Sequence, residues 1–156
     1  MNTVSDRNCM VCQKQRGEIF IPGGPIFENE LIFISHALPF GDEKDHYLGH
    51  IFIETRRHIA ELSDLTDQEA SAIGLYTKYT ADTLINTIGM VHVYSFVIGD
   101  GVPHVHVHVI GRYADAPREY WGAKVDKWPQ APRGADEEIE SMNHMLHDYF
   151  NMHFLE

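Results

Sequence analysis

The sequence predicts an α+β domain built on an antiparallel sheet, and two features support this prediction. Short segments rich in β-branched and aromatic residues stand before and after one long helical segment, without the regular strand–helix alternation of a parallel sheet. Residues 90–98 and 103–110 both have the composition of strands, and Gly99-Asp100-Gly101 between them is a turn signal. Strands joined by so short a turn pair as an antiparallel hairpin.

The other elements follow from spacing and turn residues. Thr66 and Glu69 form a capping-box pattern that predicts the start of the long helix, and Gly89 suits its C-terminal end. Apolar residues recur at helical spacing through this segment and again late in the chain. We therefore predict strands at 18–21, 31–35 and 49–54, a loop at 36–48, and a second amphipathic helix around 139–149.

The length of 156 residues predicts a single domain spanning 1–156. We expect residues 1–17 to form a loose arm, residues 18–113 to form the core, and residues 114–156 to form a C-terminal extension. Trp121 and Trp128 in this extension suit either stacking on a substrate or packing against the body of the domain.

Charge and hydropathy exclude some classes of partner. The net charge of -11 argues against non-specific binding to a nucleic-acid backbone, which needs clustered cations. No apolar run approaches the roughly 20 residues of a membrane helix, so we expect no membrane insertion. The polar N-terminal residues do not resemble a secretory signal, and we expect a cytoplasmic protein.

The most informative segment is His104-Val105-His106-Val107-His108-Val109-Ile110. Side chains alternate between the two faces of a strand, so the three imidazoles are predicted to share one face and the valines to pack on the other. An exposed polar face rarely uses histidine three times. The histidines could chelate a metal, or one neutral imidazole could attack phosphorus and form a covalent phosphoramidate.

The pattern His-φ-His-φ-His-φ-φ, where φ is apolar, resembles the motif of the histidine-triad (HIT) family at all seven positions. Three further segments are similar to that family: Gly49-His50-Ile51-Phe52-Ile53, Arg56-Arg57-His58 and Cys9-Met10-Val11-Cys12. The resemblance covers roughly residues 7–113. It implies a sheet of about five antiparallel strands with a long helix and a C-terminal helix.

The resemblance also implies roles for individual residues. His106 would be the nucleophile that attacks the α-phosphorus of a nucleotide, and His108 would position the phosphate and the attacking ring. His50, on a neighbouring strand, would be the fourth histidine of the site. The expected partners are a small-molecule nucleotide substrate and a second copy of the chain in a homodimer.

A structural zinc ion is also implied by the resemblance. In zinc-bearing HIT proteins the ligands occupy the positions held here by Cys9, Cys12, His58 and His104. This Cys₂His₂ set suits closed tetrahedral zinc, which leaves no coordination position for a reacting water. Two reduced cysteines with no metal are the alternative, because a C-x-x-C pair alone is a modest signal.

The sequence departs from the family in its substrate contacts. Many members carry an acidic or amide residue that holds the ribose, whereas the comparable residues here are Ser35 and His36. The turn before the triad is short, so phosphate donors are expected from the backbone of Gly99 and Gly101, with Arg112 countering phosphate charge. His46 lies in a predicted loop near the same pocket and receives no assignment from the sequence.

We therefore predict a nucleotide hydrolase or transferase that works through a covalent nucleotidyl-histidine. Two alternatives remain open from the sequence. One is a non-catalytic nucleotide-binding module. The other is a metal-binding regulatory protein in which all three triad histidines are ligands.

Overall fold

The computed structural model describes residues 6–155 and contains a five-stranded antiparallel sheet, which confirms the predicted α+β class. Its strands are β1 (Phe27–Glu28), β2 (Ile32–His36), β4 (His50–Thr55), β5 (His92–Phe96) and β6 (His106–Arg112). Their spatial order is β1-β2-β4-β6-β5, so the histidine strand β6 lies between β4 and β5. A separate two-stranded sheet pairs β3 (His46–Tyr47) with β7 (Arg133–Gly134).

Three α-helices accompany the sheets: α1 (Met10–Gln15), α2 (Asp67–Ile88) and α3 (Asp136–Phe154). The predicted capping box of α2 is present, because the Glu69 backbone N–H donates to Thr66 Oγ1 at 3.1 Å and the Thr66 N–H donates to Glu69 Oε2 at 2.8 Å. Gly89 ends α2 with φ +80°, a left-handed conformation that glycine adopts without a Cβ clash. No helix within residues 6–155 has the length and apolar character needed to cross a membrane.

One face of the main sheet is buried under α2 and α3. Alternation along the strands sends Ile51 and Ile53 of β4, and Val107 and Val109 of β6, to this face. Leu84, Leu146, Phe150 and other apolar residues of the helices complete this core. The opposite face carries the polar residues of the same strands and is left for the site.

The C-terminal extension covers one end of that opposite face. A second apolar cluster joins the end of β6 and the loop before β4 to the segment between β6 and α3. Its buried members are Tyr47, Ile110, Ala116, Val125, Trp128 and Ala131. Trp128 therefore packs in a core, and residues 114–134 close the surface beside the histidine strand.

Several predicted elements differ from the structure. Residues 18–21 do not form a strand, because the sheet edge beside β2 is taken by β1 and the Phe20 side chain is exposed. The predicted loop 36–48 contains β3. The arm expected at 1–17 is not loose from Asp6 onward, since it folds into α1 with both cysteines buried, while residues 1–5 lie outside the described part of the chain.

Candidate active site and metal centre

The His106 ring is held in a defined orientation by the backbone beside it. Its Nδ1 lies 2.6 Å from the carbonyl oxygen of His104. A carbonyl only accepts, so Nδ1 carries a proton, and the tautomer of the singly protonated ring is the one whose Nε2 keeps a free lone pair. The ring lines the main pocket and contacts Phe52 edge-on at 5.4 Å. The contact therefore selects the ring nitrogen that a bound molecule can meet.

His104 does not join the row of rings predicted from the sequence. Strand β6 begins at His106, and residues 101–104 form a bend, so His104 turns into the interior while His106 and His108 face the pocket. Its Nε2 lies 2.7 Å from the carbonyl oxygen of Thr55, which places the ring proton there. Nδ1 of His104 is consequently unprotonated, and its lone pair is available to a metal ion.

That bare nitrogen belongs to a four-residue cluster. Cys9, Cys12, His58 and His104 place one potential ligand atom each within 4.8 Å of the others. His104 Nδ1 lies 3.5 Å from each sulfur, and His58 Nδ1 lies 3.4 Å from Cys12 Sγ and 3.3 Å from His104 Nδ1. Zn–N bonds of about 2.0 Å and Zn–S bonds of about 2.3 Å give tetrahedral edges of about 3.3 Å between two nitrogens and about 3.5 Å between a nitrogen and a sulfur. The cluster therefore can hold a metal ion, and its spacing fits zinc.

Burial strengthens this fit. The pKa of the Cys12 thiol is raised to about 12. Loss of solvation is the main cause, and the hydrogen bond and charge of the neighbouring Cys9 raise the pKa further. A thiolate at this position needs a cation to offset the lost solvation. In residues 6–155 the group able to hold a metal includes His104 but neither His106 nor His108, so the structure does not support the alternative in which all three triad histidines are ligands.

A cavity of about 370 Å³ opens over His106 and His108. Its wall includes Gly99 and Gly101 of the turn before the triad, so their predicted contact with a substrate remains a proposal. Apolar residues Leu38, Pro39, Phe40, Ile98 and Val102 supply much of the remaining wall. The volume and lining are typical of a site for a small molecule.

The pocket wall also contains three charged residues that the sequence analysis did not assign to the site, namely Lys14, Glu54 and Asp100. Glu54 lies opposite His106 in the β4–β6 register and is 1% exposed, and Lys14 of α1 forms an ion pair with it. Gln15 Nε2 also donates to Glu54 Oε2 at 3.2 Å. The alternation that places His50 on the site face also places Glu54 there, but the partner on α1 is decided only by tertiary packing.

His50 and His108 are directly linked. His50 Nε2 lies 2.9 Å from His108 Nδ1, and the two rings stack with centroids 5.1 Å apart. The Phe96 ring stacks on the other side of His108 at 4.7 Å. Burial lowers the pKa of His108 to about 4 and holds that of His50 well below its ordinary range, so both rings are neutral near pH 7.

The prediction that His36 contacts a substrate is wrong. Its Nδ1 donates to the Ala37 carbonyl at 2.7 Å, and its Nε2 accepts from the Gly49 N–H at 2.9 Å. The ring is fully buried, and burial lowers its pKa to about 4. Both nitrogens are used in fixing the turn into β4, which leaves none for a ligand.

Ser35 and Arg112 also lie away from the cavity wall. Ser35 is fully buried opposite Phe52, so its hydroxyl does not reach a bound ribose in this conformation. The Arg112 guanidinium stacks on the Trp121 ring at 3.7 Å and donates to Tyr94 Oη at 2.7 Å. Arg112 is not among the residues that line the pocket, so the structure gives no support to its predicted phosphate contact.

A family model described as the HIT domain matches residues 26–115, which is more than half of the chain. This chain belongs to the HIT family. Its resemblance to an uncharacterized HIT-like protein of Methanocaldococcus jannaschii covers 109 residues at 28% identity, or 67% of this chain and 79% of that protein. The sequence-based assignment to the HIT family is thereby confirmed.

Solved structures share the HIT fold with this chain. A hypothetical histidine triad nucleotide-binding protein from Sulfolobus tokodaii superposes with a TM-score of 0.71 at 15% identity, covering 92% of this chain and 93% of that one. A zinc-bound HIT protein from Mycobacterium smegmatis gives 0.69 at 16% identity, with coverage of 95% and 96%. The diadenosine triphosphate hydrolase of Plasmodium falciparum gives 0.62 at 18% identity, with coverage of 87% and 81%.

Proposed function

We propose that this HIT protein is a nucleotide hydrolase or transferase whose nucleophile is Nε2 of His106. The observation that carries the proposal is the 2.6 Å contact between His106 Nδ1 and the His104 carbonyl. It keeps the ring in the tautomer whose free lone pair faces the cavity. The cavity of about 370 Å³ and the nucleotide-linked relatives support a nucleotide as the molecule that occupies it.

The proposed reaction has two steps, transfer of the nucleotidyl group to His106 and its transfer from His106 to water or an acceptor. His106 Nε2 forms a bond to the α-phosphorus while the bond from phosphorus to the leaving oxygen or nitrogen breaks, and the leaving group departs with that electron pair. Water, or an acceptor hydroxyl, then forms a bond to the same phosphorus, loses its proton and frees His106. His108, linked to His50, lies beside the reacting nitrogen and is placed to exchange protons with these groups.

The charge of the substrate needs compensation from the pocket wall. The backbone N–H groups of Gly99 and Gly101 in the turn before β6 are proposed as donors to the phosphate oxygens. Lys14 also lines the pocket, but its charge is paired with that of Glu54 on the same wall, so the backbone donors are proposed to supply most of this compensation.

Zinc is the proposed occupant of the Cys9, Cys12, His58 and His104 cluster. Bound there with all four positions filled by protein, the ion would supply structural cross-linking and no substrate chemistry. His104 would connect the two parts of the site, since its ring faces the cluster and its carbonyl orients His106. Reduced cysteines suit the cytoplasmic location expected from the sequence.

A homodimer is also proposed. In the sheet formed by residues 6–155, β5 is an edge strand, and exposed Val91, Val97 and Ile98 flank it. An unpaired edge beside exposed apolar side chains is suited to contact with a second copy.

The nucleophile is tested with His106→Ala. The wild type is expected to hydrolyse an adenosine phosphoramidate or a dinucleoside polyphosphate, and the variant is expected to lose at least about a thousandfold in kcat because the covalent route is gone. Mass spectrometry of the wild type quenched during turnover should show a nucleotidyl adduct on His106.

His92→Ala is the matched control, because His92 is an exposed histidine of β5 outside the pocket wall. It is expected to keep wild-type turnover. Equal activity of the wild type and His106→Ala, or nucleotide binding by the wild type without any turnover, would contradict the proposed function.

A further inference from the structure

A continuous chain of side chains leads from the pocket to the protein surface. His108 Nδ1 lies 2.9 Å from His50 Nε2, and His50 Nδ1 lies 2.8 Å from His46 Nε2. His46 Nδ1 in turn lies 2.9 Å from Glu43 Oε2. Each imidazole contacts the next through its opposite nitrogen, so the three rings and the carboxylate form one unbranched hydrogen-bonded series.

The two ends of this series differ in their surroundings. His108 ends it in the pocket, where its remaining nitrogen, Nε2, is the one not used by His50. His46 also lines the pocket and its side chain is 13% exposed, whereas Glu43 lies outside the pocket wall and is 42% exposed, so the series reaches solvent at Glu43. A proton that binds at the exposed end can therefore change which nitrogen of His108 is protonated in the pocket.

The charged groups around His46 come from several elements. Its own loop supplies Glu43 and Asp45, and β7 supplies Arg133, whose Nη2 lies 4.0 Å from Glu43 and whose Nε lies 2.7 Å from Asp45. The titratable neighbours on β2, β4 and β6 are His36, His50 and His108. Two carboxylates face one guanidinium, so these loop and β7 groups together carry a net negative charge.

The neutral series has one consistent arrangement of protons. A carboxylate accepts only, so His46 donates its Nδ1–H to Glu43 and accepts at Nε2. His50 must then donate from Nδ1, and His108 must donate from its own Nδ1 to His50. His108 consequently presents a bare Nε2 to the pocket.

One added proton reverses this arrangement. If His46 is doubly protonated, it donates to Glu43 from Nδ1 and to His50 from Nε2. His50 then carries its proton on Nε2 and donates to His108 Nδ1, which forces the proton of His108 onto Nε2. The pocket now meets an N–H donor, although His108 itself stays neutral.

We propose that Glu43 and His46 act as positioning residues of a proton relay, in which a proton held at His46 switches His108 Nε2 from acceptor to donor at the reacting phosphate. The inference rests on the proposed function for its substrate. When the bond from phosphorus to the leaving atom breaks, that atom takes the Nε2 proton of His108. His108 then takes a proton from His50, His50 takes one from His46, and His46 returns to its neutral form.

Burial supports the location of the charge. It lowers the pKa of His108 to about 4 and holds the pKa of His50 well below its ordinary range, because a charged ring at either position loses its solvation. The two inner rings consequently stay neutral near pH 7 and pass protons along without holding the charge themselves.

The relay is tested first without any substrate. Nitrogen-15 NMR of the histidine rings in the full chain distinguishes a protonated ring nitrogen from a bare one. As the pH falls, the proton of His108 is expected to move from Nδ1 to Nε2 while His46 becomes doubly protonated, and His46→Gln should abolish this change because glutamine takes up no second proton. A single His108 tautomer throughout, or direct charging of His108, would overturn the relay.

The second test uses leaving groups of different basicity. A nucleoside phosphoramidate with an alkylamine leaving group needs a proton, whereas a nucleoside phosphate ester of 4-nitrophenol does not. His46→Gln and Glu43→Gln are expected to lower kcat for the alkylamine about 10- to 100-fold, and to change kcat for the nitrophenyl ester by less than about twofold. The loss should shrink as the pH rises, because the wild type then also lacks the added proton at His46.

Asp45→Asn is the matched control, because Asp45 is a carboxylate of the same loop that pairs with Arg133 instead of a histidine. It is expected to keep the wild-type ratio of the two rates. If His46→Gln and Glu43→Gln lost the same activity on both substrates, or lost none, the relay would be refuted. Turnover by the wild type in that experiment would still support the proposed function. Absence of wild-type turnover would refute the proposed function, and the NMR titration would still decide the relay.

Discussion

At the scale of the residue, the role of each histidine is set by the partner of one ring nitrogen. A backbone carbonyl bound to Nδ1 leaves Nε2 of His106 for the proposed attack on phosphorus, and a carbonyl bound to Nε2 leaves Nδ1 of His104 for the proposed zinc ion. His36 spends both nitrogens on the backbone and has no ligand role. Identical side chains thus receive different functions from neighbouring oxygen and nitrogen atoms.

The buried Lys14–Glu54 pair gives a residue-scale prediction. Lys14→Met would leave the 1% exposed carboxylate of Glu54 without its cation, and we expect the free energy of unfolding to fall by about 3 kcal/mol. The double variant Lys14→Met with Glu54→Gln should recover part of this loss, because it removes the unpaired charge. Urea unfolding of Lys14→Met, Glu54→Gln, the double variant and the wild type measures the coupling.

Arg16→Met provides the comparison for that cycle. Arg16 pairs with Glu18 on the same stretch of chain, but both side chains are exposed, so little change is expected. If Lys14→Met were as harmless as Arg16→Met, the pair would contribute nothing to stability and Glu54 would not depend on α1 for its charge.

At the scale of the element, α1 connects the candidate metal-binding cluster to the pocket. The helix carries Cys12 into the cluster and Lys14 into the pocket wall within one turn. A short helix of six residues is marginal alone, so its position depends on tertiary contacts. The proposed metal ligands are consequently expected to hold Lys14, with its partner Glu54, in place in the pocket wall.

Cys12→Ser tests this connection. The wild type is expected to contain about one zinc per chain and to lose thermal stability when a chelator is added, because ligands that bind only the folded chain stabilise it. The variant should contain much less zinc and show no further effect of the chelator. Metal analysis and thermal unfolding provide the measurements.

His106→Ala serves as the metal-retaining control for Cys12→Ser, since His106 is outside the cluster. Full zinc content in Cys12→Ser together with loss of zinc in His106→Ala would show that the triad, and not the cysteine pair, holds the metal. That result would also remove the lone pair on which the proposed chemistry depends.

At the scale of the whole molecule, the C-terminal extension is part of the core. The HIT family model ends at residue 115, yet α3 beyond it closes the helical face of the sheet with fully buried Ile139, Leu146 and Phe150. The Phe150 ring lies 5.1 Å from that of Phe27 and 6.0 Å from that of Tyr76. Residues distant in sequence therefore depend on one another for burial.

Phe150→Ala measures this dependence. Removing a fully buried ring leaves a cavity, and we expect the free energy of unfolding to fall by about 3–5 kcal/mol in chemical denaturation. Met152→Ala, at a 77% exposed position of the same helix, should change it by less than about 0.5 kcal/mol. Equal stability of both variants would mean that α3 is not part of the cooperative core.

Local pattern alone was enough for the α+β class, the capped helix α2, the antiparallel pairing of β5 with β6, and the assignment to the HIT family. Periodicity and capping are properties of neighbouring residues, so they survive without knowledge of the rest of the fold. The same reasoning failed at residues 18–21, because a strand needs a free sheet edge and β1 already occupies it. It failed for His36 and Arg112, because their partners come from distant segments.

The sequence by itself determined which histidine strand this protein has and which ligand types accompany it. Only the tertiary structure decided that His104 turns inward to the cysteines, that Glu54 meets Lys14, and that His46 extends the pair of His50 and His108 toward the surface. The physical reason is range. Strand alternation and helix caps act over a few residues, whereas the proton on a ring nitrogen follows whichever oxygen, sulfur or nitrogen atom the folded chain brings within about 3 Å.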